Sequence, residues 1–209
     1  TTLRETAYFH DYQGVRLIVL NTNIMPEHQV YWLDQRLEEN RNDWAIVSFH
    51  HPIFSSGQNR DNKVIRDLWK PILDKYAVDL VLQGHDHTYA RGHVPVSLHE
   101  KSDDSQVKTM YVNSVSGGKM YEFMETDWDV YAPEGIILDR RAENGQFFQV
   151  LSVDGKRLTY KAYTANGLLY DAFRLDKNDQ GQKSLSLLPI DVETEYRFSN
   201  TSPYSRNTP

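Results

Sequence analysis

Two short stretches hold the side chains with chemistry to offer. One is Gly84-His85-Asp86-His87, two histidines one residue apart, following the apolar run Val78-Asp79-Leu80-Val81-Leu82. The other is His50-His51-Pro52, following Trp44-Ala45-Ile46-Val47-Ser48-Phe49. A His-x-His pair on a loop can aim two imidazole nitrogens into one small volume, a donor set that suits borderline divalent metals. Gly84 is expected to supply either a positive φ or a close backbone approach where its strand ends.

The elements that position these histidines follow from the flanking pattern. Both apolar runs read as buried strands. Between them Ile65, Leu68, Trp69, Ile72 and Tyr76 recur at helical spacing, and Pro71 predicts a kink or two short helices meeting there. A strand–helix–strand unit in a parallel sheet sets its strand ends side by side, and ligands bind in the crevice outside them. Upstream, residues 6–12 and 15–21 read as a hairpin about Gln13-Gly14, and Pro26 opens a helix carrying Val30, Leu33 and Leu37. Residues 92–106 read as a polar loop and 109–113 as a strand. From 146 the pattern is a β-meander (147–153, 158–163 and 169–175) with Asp154-Gly155 and Asn166-Gly167 turns. Its many tyrosines read as core and edge packing. Residues 1–175 are expected to form one domain, and 176–209 an irregular tail that wraps the surface or is partly disordered.

Composition narrows the partners. The 209 residues suffice for one sizeable core. A net charge of −6 argues against a nucleic-acid or anionic-membrane partner, so an anionic substrate needs a local positive site such as a metal. There is no cysteine, hence neither a disulfide framework nor a thiolate metal site. No run approaches the roughly 20 apolar residues of a spanning helix. The opening Thr1-Thr2-Leu3-Arg4-Glu5 has no signal peptide or initiator Met and reads as a processed or cut end.

With these residues in view the chain resembles the calcineurin-like metallophosphoesterases, and within them the purple acid phosphatase-like branch. The resemblance rests on Phe49-His50-His51-Pro52-Ile53-Phe54-Ser55, on Gly84-His85-Asp86-His87 with the following Thr88-Tyr89-Ala90-Arg91, on Gln29-x-x-Trp32-Leu33, and on the Gly117-Gly118 turn. It covers roughly residues 6–175. It implies an α/β fold, the carboxy-terminal part of a metallophosphoesterase αββα sandwich with a β-meander at its end. It further implies two metal ions (Fe, Zn or Mn), with His50 and His85 on one and His87 on the other, and hydrolysis of a small phosphorylated substrate outside the cytoplasm.

The family's first three blocks supply an Asp, a metal-bridging Asp, an Asn and a His. These are expected upstream of Thr1, in a missing amino-terminal half, so the chain alone is expected to be inactive. Asp86 is the only carboxylate at hand, at a position the family varies. A sheet face left bare by the missing half predicts self-association.

His51 and Arg60 are candidate substrate contacts. For His51 a wall position is the plainer reading, and for Arg60 a solvated loop charge. Arg91 is expected to brace the histidine loop. His10, His28, His93 and His99 read as surface or satisfied histidines. Rival functions are a non-catalytic binding module with a vestigial or single structural metal site, and a phosphodiesterase or nucleotidase.

Overall fold

Alternation along the strands decides the architecture. In strand β3 (Trp44–Ser48), Ala45 and Val47 enter one apolar cluster with Phe49, while Trp44 and Ile46 enter another. Strand β4 (Leu80–Gln83) divides in the same way, Val81 to the first cluster and Leu80 to the second. A sheet whose strands are apolar on both faces has to be covered on both. The computed structural model, which describes residues 6–96 and 105–197, shows how that is done.

The sheet runs β1 (Tyr8–Tyr12), β2 (Val15–Val19), β3, β4 and β6 (Gln106–Asn113), then β5 (Tyr89–Pro95) and β7 (Ile137–Ala142). Strands β2, β3, β4 and β6 are mutually parallel, and β1 is hairpinned onto β2. Helices α1 (Val30–Glu38) and α2 (Lys63–Lys75) cover one face. Leu33 and Leu37 on α1, with Ile65, Trp69, Ile72 and Leu73 on α2, form the apolar stripes that a core-facing helix requires. Pro71 lies inside α2, which continues through it as one helix, so of the two expectations that of two short helices is not met.

The meander covers the other face. Strands β8 (Phe147–Asp154), β9 (Arg157–Thr164), β10 (Leu169–Lys177) and β11 (Lys183–Leu187) are antiparallel in sequence order, and β11 joins the start of β6. Leu158, Tyr160, Ala162, Tyr170, Phe173 and Leu175 pack on Trp44, Ile46, Leu80, Met110 and Val112. The layers are therefore helices, sheet and meander. This corrects the expectation of a bare sheet face over β3, β4 and β6, which the chain's own last strands bury, while β1 stays largely exposed. Strand β11 also lies inside the span expected to be irregular, while residues 188–197 cross the surface and the end of the chain lies outside the described residues.

Three strands escaped the sequence reading for a common reason. Residues 89–95, 137–142 and 183–187 carry Arg91, His93, Asp139, Arg140, Lys183 and Ser184, which break an apolar pattern. Their charges are paired inside the fold. Arg91, 2% exposed, donates from Nε to Asp171 at 2.7 Å and from Nη1 to Asp139 at 2.8 Å. Tyr89 donates to the same Asp171 carboxylate at 2.7 Å, and His93 pairs with Asp139 at 2.9 Å. Asp79 accepts the Ala45 N–H at 2.7 Å and pairs with Lys177 and Lys183 of the meander at 2.7 and 3.0 Å. Arg91 thus ties sheet to meander, not directly to the histidine loop. At Gly92 a Cβ would meet the Ile137 carbonyl at 2.3 Å, so β7 and Trp128 close on bare backbone.

Replacing Arg91 by Met leaves two buried or half-buried carboxylates short of their cation. It should cost about 3–5 kcal/mol in urea unfolding, and adding Asp171→Leu should recover part of the loss. A cost below about 1 kcal/mol for the single substitution would contradict the role given to this pair.

Candidate metal centre

The carboxyl ends of the parallel strands meet at one place. The Leu20 N–H donates to the Ser48 carbonyl at 3.0 Å, and beyond the ladder the Gly84 N–H donates to the His50 carbonyl at 3.0 Å. These bonds bring Thr22, His50 and His85 together from three neighbouring strands. The turn holding Thr22 is itself pinned: buried Gln29 accepts the Asn21 N–H at 2.9 Å and donates to the Asn21 carbonyl at 2.6 Å.

Gly84 does not have the positive φ considered for it. That conformation falls on the next residue, His85, at φ 66°. A Cβ at Gly84 would lie 3.7 Å from His50 Nδ1, an ordinary contact, so the glycine's place is beside the ring of His50. A non-glycine residue held in the left-handed region stores strain that the surrounding loop has to support.

Asp86 provides that support. Its carboxylate is buried and accepts the N–H groups of Ser56 and Gly57 at 2.7 and 3.1 Å, and the Arg60 guanidinium at 3.1 Å. Arg60 also donates to the His85 carbonyl at 3.0 Å. Ser56 and Thr88 share a hydroxyl contact of 2.6 Å, and Gln83 accepts the Ile53 N–H at 2.7 Å. Asp86 is committed to tying the 53–60 loop onto the histidine loop, so the one carboxylate of the motif does not join the ring nitrogens.

The rings of His50, His51 and His85 converge, and His51 is the member that the sequence expectation placed elsewhere. One nitrogen from each of His50, His51 and His85 lies within 4.8 Å of the others, with no carboxylate among the described residues joining them. His50 Nε2 and His85 Nδ1 are 3.1 Å apart. His51, expected at the wall, is inside the group, its ring centroid 4.1 Å from that of His85. His87 stands apart: its Nδ1 is 2.8 Å from the Lys119 carbonyl and its ring stacks on Tyr121 at 4.8 Å. Arg60 lies over the other partner of that stack, 5.1 Å from the Tyr121 centroid, and lines an open cleft of ≈ 340 Å³ with Gln58, Tyr121 and Glu122. His10 and His28 are exposed on β1 and the turn before α1, His93 is paired with Asp139, and His99 lies outside the described residues.

The electrostatics disfavour protonation of two of these rings, His85 and His51. Burial, then the neighbouring His51 and Arg60, push the His85 imidazole down to about 4, with Asp86 acting the other way. Burial, then His50, lowers His51 as well. Neutral rings offer lone pairs, which is the state a metal ligand needs. The donor set fits zinc or another borderline ion, and it supplies no charge to offset one.

Thr22, Lys119 and Tyr121 were missed from sequence. Thr22 was discoverable in part, since it follows an apolar strand at the end where ligands bind. Nothing in the sequence signals that Tyr121 meets His87.

Comparisons with known proteins point to one family. Residues 4–89 match the calcineurin-like phosphoesterase family. The chain is similar to purple acid phosphatase 7 of Arabidopsis thaliana (26% identity, 74% of this chain, 44% of that protein). It is also similar to purple acid phosphatase 3 of the same plant (29% identity, 79% of this chain, 40% of that protein). The structure of purple acid phosphatase PPD1 from yellow lupin superposes with a TM-score of 0.64 at 18% identity, over 84% of this chain and 33% of that one. The chain thus spans less than half the length of these proteins.

Asp86→Ala leaves two buried N–H groups and Arg60 without their acceptor and should lower stability by about 3 kcal/mol in chemical denaturation. A neutral result would remove Asp86 from its bracing role. At His85, the Gly variant should be about 1 kcal/mol more stable than the Ala variant, because only the latter retains a side chain at positive φ. Equal stabilities would show that His85 carries no backbone strain.

Proposed function

We propose that this chain, metallophosphoesterase-like and of the purple acid phosphatase-like branch, supplies part of a metal centre that hydrolyses phosphate esters. Phosphoester hydrolysis is the class of reaction that the family and the relatives indicate. The observation that carries the reading is the approach of His50 and His85, 3.1 Å apart, at the carboxyl ends of two adjacent parallel strands. In this reading His50 and His85 hold one ion and His87 contributes to a second, with iron, zinc or manganese as candidates. Bound metal supplies Lewis-acid polarisation of the phosphoryl group and lowers the pKa of a bound water.

The chain's own residues do the remaining work. Asp86 fixes the loop that presents His85. Arg60, anchored on the His85 carbonyl and the Asp86 carboxylate, sets a guanidinium beside the neighbouring cleft, where its fork suits a phosphate oxygen. The bridging carboxylate is assigned to protein outside this chain, because Asp86 is already committed. The isolated chain is therefore proposed to be inactive or nearly so. The likeness to purple acid phosphatases also supports an extracytoplasmic location, and no described helix is long and apolar enough to cross a membrane.

A second reading has one observation in its favour. The absence of a carboxylate from the histidine group, among the described residues, suits a binding module with a single structural metal.

Hydrolysis of p-nitrophenyl phosphate separates the two. In the protein that carries this chain together with its remaining ligands, loaded with zinc, manganese or iron, chelation should abolish turnover. His50→Ala or His85→Ala should lower kcat/KM by at least roughly 100-fold. Turnover indifferent to both substitutions would sink the reading, and full turnover by the isolated chain would sink the proposal of a partial site.

A further inference from the structure

His51 is clamped at two points by one hydroxyl. Thr22 Oγ1, on a residue only 8% exposed, lies 2.8 Å from His51 Nδ1 and accepts the His51 backbone N–H at 3.2 Å. The hydroxyl can donate to Nδ1 or accept from it, and in the second case Nε2 is the nitrogen left for a ligand. The ring itself is held against its neighbours, its centroid 4.1 Å from that of His85 and 4.9 Å from that of His50.

The other two rings already have the spacing of ligands on a common ion. Nitrogens bound to a tetrahedral zinc at ~2.0–2.1 Å stand roughly 3.3–3.4 Å from each other. His50 Nε2 and His85 Nδ1 are 3.1 Å apart, and His51 brings a third nitrogen within 4.8 Å of both. Without an ion, one ring has to donate a proton to the other; a divalent cation satisfies both lone pairs at once.

We propose that this chain by itself holds one borderline divalent metal on His50, His51 and His85, and that Thr22 is the positioning residue that orients the His51 ring. Three neutral imidazoles suit zinc or cobalt and leave a fourth coordination position open. With Nε2 on a metal, Nδ1 carries the ring proton and the Thr22 hydroxyl is placed to accept it, the part that carboxylates and carbonyls play behind most ligating histidines. The inference rests on the metal-dependent reading above and adds to it a third ligand, His51, and the outer partner that orients it.

The test is zinc affinity of the 209-residue chain at neutral pH, by competition with a chromophoric chelator. Visible absorption of bound cobalt serves as a second readout of coordination. One ion per chain is expected. His51→Ala should weaken binding about 100-fold or more, and Thr22→Val about 10–100-fold, with Thr22→Ser restoring it to within a few-fold. His28→Ala, an exposed histidine elsewhere, should change nothing. Circular dichroism and melting of each metal-free variant control for folding.

Zinc held as tightly by His51→Ala as by the unaltered chain would overturn the site. So would loss of binding in His87→Ala with none in His51→Ala. Loss in His51→Ala with unchanged affinity in Thr22→Val would overturn the positioning role. Tight three-histidine binding in the chain, with no phosphoesterase activity in the protein that carries it, would leave this site standing and remove the catalytic reading. Activity that needs His50 while zinc affinity ignores His51 would do the reverse.

Discussion

The parallel pairing of β3 with β4 is the constraint on which the rest depends. Its register, Ser48 opposite Leu82, is carried past the strands by the Gly84 N–H bond to the His50 carbonyl. That one continuation places His50 and His85 side by side although they are far apart in the chain. Side chains alternate strictly along a strand, so a one-residue slip would send His50 to the opposite face and disperse the group. The same slip would exchange Trp44 and Ile46 with Ala45 and Val47 between two packed layers. The core and the site are thus specified by a single register, and neither can shift without the other.

Holding the loops beyond the ladder takes buried charge. Asp86 gathers two backbone N–H groups and one guanidinium, and it does so beneath a residue, His85, at positive φ. Burying a carboxylate is costly unless it is fully bonded, and a fully bonded one makes a rigid brace. Arg91 with Asp171 and Asp139, and Asp79 with Lys177 and Lys183, repeat the device between sheet and meander. The acidic chain therefore spends several of its cations internally. The cations nearest the histidines, Arg60 and Lys119, sit around Tyr121, beside His87 and the open cleft.

What sequence alone made legible follows from period and from punctuation. Alternation and helical spacing identified β3, β4, α2 and the meander, because their buried faces leave a repeating apolar mark, and the Asp-Gly and Asn-Gly turns fixed the meander's corners. The strands β5, β7 and β11 left no such mark. Their inward positions include Arg91, His93 and Lys183, which are tolerable only because partners distant in sequence neutralise them. A pattern rule sees the charge but not the partner.

The same division holds for the site. The sequence by itself determined the donor types, two histidine-bearing strand ends and no thiolate, and so the kind of ion such a protein can hold. Tertiary structure alone decided which rings converge, turning His87 toward Lys119 and Tyr121 while His51 joined His50 and His85. It also decided that Asp86 would brace the loop, leaving the ring nitrogens without a carboxylate among the described residues. The physical reason is that donor chemistry belongs to a residue, whereas the direction of a side chain depends on the hydrogen bonds of its neighbours. Thr22 and Lys119, which turn His51 and His87, come from other parts of the chain and meet them only in the fold.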